Sequence, residues 1–280
     1  RVLVNRIWQY HFEKGLVTTP GNFGKLGTPP SHPRLLDWLA TEFVEQGWRI
    51  KSVHRLIMTS SAYRQSSRRP VLGGQNPDNL LLSRFPFRRL DAEAIRDSML
   101  AVAGRLDANP FGPPQEVKVT QEGEVLSEPT DSGYRRSINM LQRRGTPLTL
   151  LQAFDLPLLD DARPNCLMRE HSTVSTQALQ LLNSDLLRES ARYFAGRVMD
   201  AVGSDLENQV ERVYLSALSR RPRKEEKKLG IEALQELGQA WQNHLEQEVP
   251  AEPKEMKAKW LALGTYCHTI LNSPEFVYID

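Results

Sequence analysis

Cysteine is scarce in this sequence, and the two that occur, Cys166 and Cys267, stand far apart. They form neither a CxxC metal-binding pattern nor the CxxCH of covalent haem attachment. Cys267 shares an apolar helical stripe with Leu263 and Ile270, which predicts a thiol buried in the core. A disulfide between the two cysteines in an oxidising compartment stays an alternative.

Long apolar runs and targeting patterns are also missing. No stretch approaches the roughly 20 apolar residues that a membrane-spanning helix needs, so we predict no transmembrane segment. The start shows no signal-peptide pattern. The chain opens without Met, at RVLVNRIWQYHF, and is already in helical register there. We therefore expect a fragment of a longer protein, which leaves its compartment open.

Neither sign of charge is in excess, because the formal net charge is only +2, although 26 arginines stand against 10 lysines. Arginine favours bidentate pairing with carboxylates or phosphates over simple solvation. Internal Arg–carboxylate pairing is our first interpretation, and anion binding is the alternative. The sequence pI of 8.5 is below the value of about 9 that is typical of nucleic-acid-binding domains. Composition therefore disfavours nucleic acid as a partner.

Apolar residues recur every three or four positions over most of the chain, which predicts a mainly α fold, a multi-helix orthogonal bundle. The run QEVKVTQEGEVL instead alternates around Glu122-Gly123, which predicts a small β hairpin or sheet within residues 115–143. With 40% hydrophobic residues, a chain of this length can bury a core without disulfides. We predict a single domain over 1–280, subdivided at most into helical 1–110, β-containing 111–145 and helical 146–280.

Several helix ends and faces can be assigned. Pro33 suits the first turn of the second helix, Ser52 can cap the third, and Asp91 can cap the next. The helical segment after the central loop places four apolar side chains on one arc, which predicts a buried face. These are Leu179, Leu182, Leu186 and Tyr193.

The loop from Phe154 to Gln177 is the main candidate site, because a loop this long in a compact domain is usually functional or disordered. A nucleophilic Cys needs a base and an electropositive setting. The alternative is structural: Arg169 ties the loop to carboxylates, Thr173 or Ser175 caps the next helix, and Cys166 packs. The reactive side chains are Asp155, Asp160, Asp161, Arg163, Cys166, Arg169, Glu170, His171, Ser172 and Thr173.

A second cluster combines arginines with carboxylates one helical turn apart, Glu93 and Asp97. Paired carboxylates serve acid/base chemistry only where their environments separate the two pKa values. Flanked by arginines, both should stay ionised, which favours a structural salt-bridge network. The basic members are Arg84, Arg88, Arg89 and Arg96.

The six histidines form no HxxxH or HxH pair, so no local metal site is predicted. His11 lies in an apolar stripe, which is typical of a core histidine with its hydrogen bonds satisfied. Residues 33–69 also allow a helix-turn-helix interpretation, with His54, Arg55 and Arg64 on the second helix. No base-reading face is evident there, so nucleic-acid binding is only a third hypothesis.

The chain resembles the C-terminal domain of unknown function of planctomycete cytochrome-c-like proteins. The matching segments span nearly the whole sequence and include NRIWQYHFEKGLV, HPRLLDWLATEFVEQGW, HRLIMTSSAYRQSS, NPDNLLLSRFPFRRLDAEAIRDSML, QALQLLN and ILNSPEFVYID. Arg169, Thr173 and Gln177 carry over to the family's central segment. The run MREHSTVSTQ departs from it, because the family has a shorter RNTT-like stretch and a Pro before the Gln; Glu170 and His171 therefore carry over no role.

This resemblance implies a module of a large exported protein, periplasmic or at the cell surface, that follows a haem-binding cytochrome-like domain. The upstream domain is then its partner. Any haem would belong to that domain, since this chain lacks CxxCH, and no cofactor is expected here. The resemblance implies no established activity.

We therefore predict a non-catalytic binding or docking module whose target is a polysaccharide or a partner domain. Trp38 is a candidate for sugar stacking because it lies off the leucine stripe of its helix. The rival hypothesis is an enzyme, a hydrolase or a haem-coupled oxidoreductase, with its site in the same loop. The predicted binding residues are Asp155, Cys166, Arg169, Thr173, Gln177, Arg84, Arg89, Glu93 and Arg96.

Overall fold

A computed structural model describes residues 1–68, 79–143, 145–157, 166–248 and 255–279. Helices dominate these ranges, and the strands within them form three two-stranded sheets. The prediction of a mainly α fold with a small β insertion is confirmed. The chain divides into two compact units, one of residues 1–89, 165–169 and 278–280, the other of residues 90–164 and 170–277. A single domain over 1–280 stays a prediction.

The first unit is built from three helices and one short antiparallel strand pair. Pro33 starts the second helix as expected, because its fixed φ suits a first turn. The third helix begins two residues before Ser52, with Arg49 at the N-cap, so the predicted cap is wrong. The elements are α1 (Val2–Phe12), α2 (Pro33–Glu45), α3 (Ile50–Thr59), and β1 (Arg88–Arg89) paired with β6 (Tyr278–Ile279).

One hydrophobic cluster forms the core of this unit. Asn5 is fully buried inside it, and its side chain binds both backbone groups of Val17, donating to the carbonyl at 3.0 Å and accepting from the N–H at 2.8 Å. This clamp folds the chain after α1 back onto the helix. A Cβ at Gly15 would lie 2.6 Å from both the Asn5 amide and the Val17 carbonyl, so only glycine fits there. The main core residues are Val4, Ile7, Trp8, Phe12, Leu16, Leu36, Leu39, Phe43, Val53, Ile57 and Phe85.

The second unit is a larger helical assembly in which one helix, α10, packs along two others, α7 and α9. Cys267 lies on α10 and is fully buried, as predicted, and both cysteines are free thiols. No helix in the described ranges is long and apolar enough to cross a membrane. The helices are α4 (Ala92–Ala103), α5 (Thr149–Ala153), α6 (Ser175–Asn183), α7 (Asp185–Val202), α8 (Leu206–Leu218), α9 (Lys224–Glu248), α10 (Glu255–Leu271) and α11 (Pro274–Val277).

The predicted β insertion is present between α4 and α5. Its hairpin turns at Gly123, whose φ of 87° suits glycine. A short 3-10 helix, Ser137–Asn139, ends the insertion. The strands are β2 (Leu106–Asp107), parallel to β5 (Tyr134–Arg135), and β3 (Val117–Val119), antiparallel to β4 (Val125–Ser127).

The predicted buried arc after the central loop is wrong. Leu179, Leu182 and Tyr193 are 54%, 51% and 44% exposed, whereas Leu181 and Leu187 are buried. Two causes are evident. The inward position one turn before Leu181 is taken by a polar residue, Gln177, and Ser184 caps a new helix, so a single helical phase does not continue across residue 184.

Candidate functional site

The predicted central loop is closed by its own hydrogen bonds. Asp155 has a positive φ of 63° after α5, and its carboxylate accepts bonds of 2.8 Å from both the N–H and the hydroxyl of Ser172. Gln177, only 5% exposed, donates to Ser172 Oγ at 3.1 Å. The structure thus brings Asp155 and Gln177 together through Ser172. Their polar atoms form hydrogen bonds that join residues from the two ends of the loop.

The described contacts of Ser172 and His171 do not make them a nucleophile and its base. The Ser172 hydroxyl donates to Asp155, and His171 Nε2 lies 3.7 Å from Asp91 Oδ1. Asp91 occupies the N-cap of α4, as predicted, but without a side-chain cap hydrogen bond. A working nucleophile usually has its base within about 3.2 Å.

Cys166 does not pack, contrary to the structural prediction, because its side chain is exposed. In the part of the chain that the structure describes, its one hydrogen bond runs from Sγ to the Met168 carbonyl at 3.2 Å. Arg169 is half-buried and Thr173 is exposed. The predicted loop residues Asp160, Asp161 and Arg163 lie outside the described residues.

Arg96 is the centre of a buried polar web in the second unit. Only 1% exposed, it donates to the Arg135 carbonyl at 2.9 Å, to Ser127 Oγ at 2.9 Å and to Ser137 Oγ at 3.2 Å. Asp97 accepts from the Ser137 N–H at 2.8 Å and from its hydroxyl at 2.7 Å. Burial lowers the pKa of the Arg96 guanidinium, and Asp97 opposes that shift. This web ties the β insertion to α4.

The other members of the second predicted cluster lie in different settings. Glu93 is half-buried on α4, in the same unit as Arg96. Arg89 is 3% exposed and belongs to β1 of the first unit. The cluster is therefore divided between the two units, and its Arg96–Asp97 part supports the salt-bridge interpretation.

An open cavity of about 330 Å³ lies entirely within the first unit. Of the nine predicted binding residues, Arg84 is the one that lines it. Its apolar wall consists of Trp8, Phe12, Leu16, Leu80, Leu82 and Phe87. Its polar side chains include Glu13, Lys14, Asn79 and Arg84.

The backbone around this cavity is unusually strained. Glu13 has φ 67° and ψ −40°, and the Lys14 N–H donates to the Phe12 carbonyl at 2.7 Å. This is a classic γ-turn, which is rare and strained. Asn79 and Leu82 also have positive φ, so three of the six described non-glycine residues with this conformation line one cavity. Strained backbone persists where surrounding structure enforces it and is concentrated at functional sites.

Several polar groups at the cavity have no protein partner among the described residues. Lys14 and Arg84 form no ion pair there. The Trp8 indole N–H makes no hydrogen bond within the described ranges, and it is not shut off from solvent. The half-buried indoles of the second unit differ, because Trp241 donates to Thr265 and Trp260 to the Arg192 carbonyl, both at 3.1 Å.

Phe87 supplies an aromatic surface at the edge of the cavity. Its ring stacks on Tyr278 with centroids 5.0 Å apart and planes 2° apart, and 59% of the residue stays exposed. Sequence reasoning selected Arg84 but missed Trp8, Glu13, Lys14 and Phe87. The glycine that ends α1 in the FEKG run was the available indication, since it marks a sharp turn.

Two of the three histidines of the first unit are paired with each other. His11 Nε2 and His54 Nδ1 are 2.7 Å apart, and the ring of Tyr63 meets His11 edge-on at 5.3 Å. Burial, together with the charges of His54 and Arg88, lowers the pKa of His11 to about 4. This geometry agrees with the expectation that His11 packs among apolar residues and has a hydrogen-bond partner. The described residues contain no group of three His, Cys, Asp or Glu side chains that could hold a metal ion.

Fold and geometry define a mainly helical domain with a partly polar cavity beside α1. Residues 1–234 match the family model described as PSD1, a protein of unknown function (DUF1553), and the chain belongs to that family. Searches of curated proteins and of solved structures found no match.

Proposed function

We propose that this chain is a non-catalytic binding module and that the cavity beside α1 holds its ligand. One contrast carries the proposal. Most polar groups of the predicted loop and of the Arg96 web bond within the fold, whereas Lys14, Arg84 and the Trp8 indole line an open cavity and form no ion pair or side-chain hydrogen bond with the described residues. The fold therefore holds two cations and an indole N–H at one cavity, where a ligand can bind them.

The dimensions and lining of the cavity support a saccharide as the ligand. Its volume of about 330 Å³ is at the lower end of the range of roughly 300–1,000 Å³ for small-molecule sites. Phe87 presents an exposed ring to which the C–H face of a sugar can stack. The polar side chains around it can bind hydroxyl groups. A chain end or branch of a polysaccharide fits this combination.

The family resemblance supports a setting for this activity. We propose that the module belongs to an exported, cytochrome-associated planctomycete protein, with an upstream haem-binding domain as its partner. No cofactor is assigned to this chain. Retention of a polysaccharide near that redox domain is then the role of the module.

One observation favours a hydrolase as the alternative. His171 pairs with Asp91 beside the Ser172–Asp155 bond, and His171 Nδ1 is buried without a hydrogen-bond partner in the described ranges. Substitution of Ser172 by Ala separates the hypotheses, because a hydrolase using that hydroxyl would lose turnover. The binding module would keep its polysaccharide affinity. Helix-turn-helix DNA binding gains no such support, since His54 is engaged by His11.

The binding proposal is tested by affinity electrophoresis of the 280-residue chain through gels that contain a panel of neutral and acidic polysaccharides. Phe87→Ala should weaken retention about tenfold, the scale of one lost aromatic contact. Tyr10→Ala is the matched control, because Tyr10 is 66% exposed in the same unit and does not line the cavity. Unfolding curves exclude trivial loss of structure. No retention by any polysaccharide, or equal effects of both variants, would contradict the proposal.

A further inference from the structure

We propose, on the basis of the binding function above, that the cavity selects an acidic sugar, a uronate ring whose carboxylate meets Lys14 and Arg84. Both cations line the cavity, and Glu13 is the carboxylate among its described lining residues. Among those described residues, two positive charges and one negative leave a single positive charge. One ligand carboxylate neutralises it.

The two cations are carried on backbone that the fold holds rigidly. The strained turn at Glu13 comes directly before Lys14. Gly15, which follows Lys14, packs against the Asn5 side chain with no room for a Cβ atom. Arg84 precedes Phe85, which is 3% exposed in the core. Sites on rigid supports lose less entropy on binding than sites on free loops.

A second set of bonds fixes the segment that carries Arg84. The Asn79 side chain donates to the Arg84 carbonyl at 2.8 Å, and Gln65 donates to the Leu82 carbonyl at 3.0 Å. These bonds stabilise the positive φ of Asn79 and of Leu82, which are 52° and 50°. The guanidinium remains available, because the bond to Asn79 uses only the backbone of Arg84.

The same lining explains why the ligand should be a sugar acid rather than a simple anion. Phe87 offers a stacking surface, the Trp8 N–H can donate to a ligand oxygen, and Glu13 can accept from hydroxyls. Arginine binds planar carboxylates in a bidentate manner. A neutral sugar would cover two cations without neutralising them, so the site discriminates against it.

The test is isothermal titration of the chain with an oligogalacturonate and with its carboxyl-reduced, neutral counterpart of equal length. At low salt the acidic ligand should bind at least about tenfold more tightly. Arg84→Gln and Lys14→Gln should each abolish most of that preference. Glu13→Gln should increase it, because a like charge is removed. Added salt should diminish the preference as the charges are screened.

Exposed cations of the same unit outside this cavity provide matched controls. Arg55→Gln and Lys51→Gln, both on α3, should leave the preference unchanged. Equal affinity for the acidic and neutral ligands would overturn this inference while leaving the binding function intact. Tighter binding of a sulfated oligosaccharide than of the uronate would also overturn it. Binding of neither class would remove the proposed function as well.

Discussion

Two arginines that look alike in the sequence have opposite environments. Arg96 is 1% exposed, and its guanidinium donates to a backbone carbonyl and two hydroxyls. Arg84 is half-buried at a cavity, and its side chain has no ion-pair partner among the described residues. The difference shows how a structural arginine can be distinguished from a candidate ligand-binding arginine. A buried guanidinium that donates several hydrogen bonds within the fold supports the structure, whereas one at a cavity without an ion-pair partner is a candidate for ligand binding.

The same contrast holds between other parts of the two units. In the second unit, Arg220 bridges two carboxylates, with bonds of 2.7 Å to Glu226 and 2.7 Å to Glu275, and joins the turn after α8 to α11. In the first unit, the cavity has three positive-φ residues on its lining and an indole N–H without a described partner. Networks whose polar groups bond within the fold stabilise it, whereas strained backbone beside an open cavity is typical of functional sites.

The largest expected effect concerns Arg96. Arg96→Ala should lower the free energy of unfolding by about 3–5 kcal/mol, because it removes the cation beside Asp97 and leaves the Arg135 carbonyl and two serine hydroxyls without this donor. Arg84→Ala should change it by less than about 0.5 kcal/mol, as is usual for surface changes. Urea unfolding of both variants measures the two effects. Similar losses in the two would break the distinction between structural and functional arginines.

The next effect is a pH dependence in the second unit. Hydrogen bonds from Arg220 lower the pKa of Glu226 from 4.5 to about 2. Because the folded-state pKa is depressed, this stabilisation is complete above pH 4.5 and disappears as the pH falls towards 2. After discounting for solvent, it is about 1–2 kcal/mol.

Glu226→Gln should make the free energy of unfolding less dependent on pH in this range. Urea unfolding from about pH 5 down to the lowest pH at which the chain stays folded measures the effect. Glu225→Gln is the matched control, since Glu225 is exposed and makes none of the bonds to Arg220. An acid-induced loss that survives in Glu226→Gln would show that other carboxylates cause it.

A smaller pH dependence should arise in the first unit, from His11. Its pKa is lowered from 6.5 to about 4, so the unfolded chain binds a proton before the folded one does. Stability is complete above 6.5 and falls as the pH drops towards 4, by about 1 kcal/mol after discounting for partial exposure. The charged or titrating groups nearby are His54, Tyr63 and Arg88.

Nuclear magnetic resonance titration of the imidazole signals measures the His11 pKa directly. His11→Gln should remove the loss of stability in this window, whereas His32→Gln, on the loop before α2, should not. A His11 signal that titrates near its ordinary value would contradict the buried, neutral pair.

The smallest effect is expected at Cys166. Because this thiol is exposed and Cys267 is fully buried, a thiol reagent should modify one cysteine of the native chain and both after unfolding. Burial raises the pKa of the Cys267 thiol, which further slows its reaction. Cys166→Ser should abolish native labelling and change stability by less than about 0.5 kcal/mol. Native labelling of two thiols would contradict the assigned burial.

Elements with a clear apolar period were predictable, and contacts between distant residues were not. The hairpin around Gly123 followed from local alternation, and helix α10, Glu255–Leu271, contains the apolar stripe predicted around Cys267. The prediction of a buried arc from Leu179 to Tyr193 was wrong because the polar residue Gln177 occupies the buried face of the helix. At the site, Arg84 was selected for its charge alone. Trp8 looked like core, and its missing hydrogen-bond acceptor is visible only in three dimensions.

By itself, the sequence determined a mainly helical chain with a short β insertion and a buried Cys267, since these depend on periodicity, turn residues and hydrophobicity. Tertiary structure alone decided which arginine bonds within the fold and which lies at a cavity. It also decided that Glu13 borders the same cavity as Asn79 and Leu82, which lie on a distant segment of the chain. The physical reason is that satisfaction of a polar group is a property of its neighbours in space, and those neighbours lie tens of positions away along the chain.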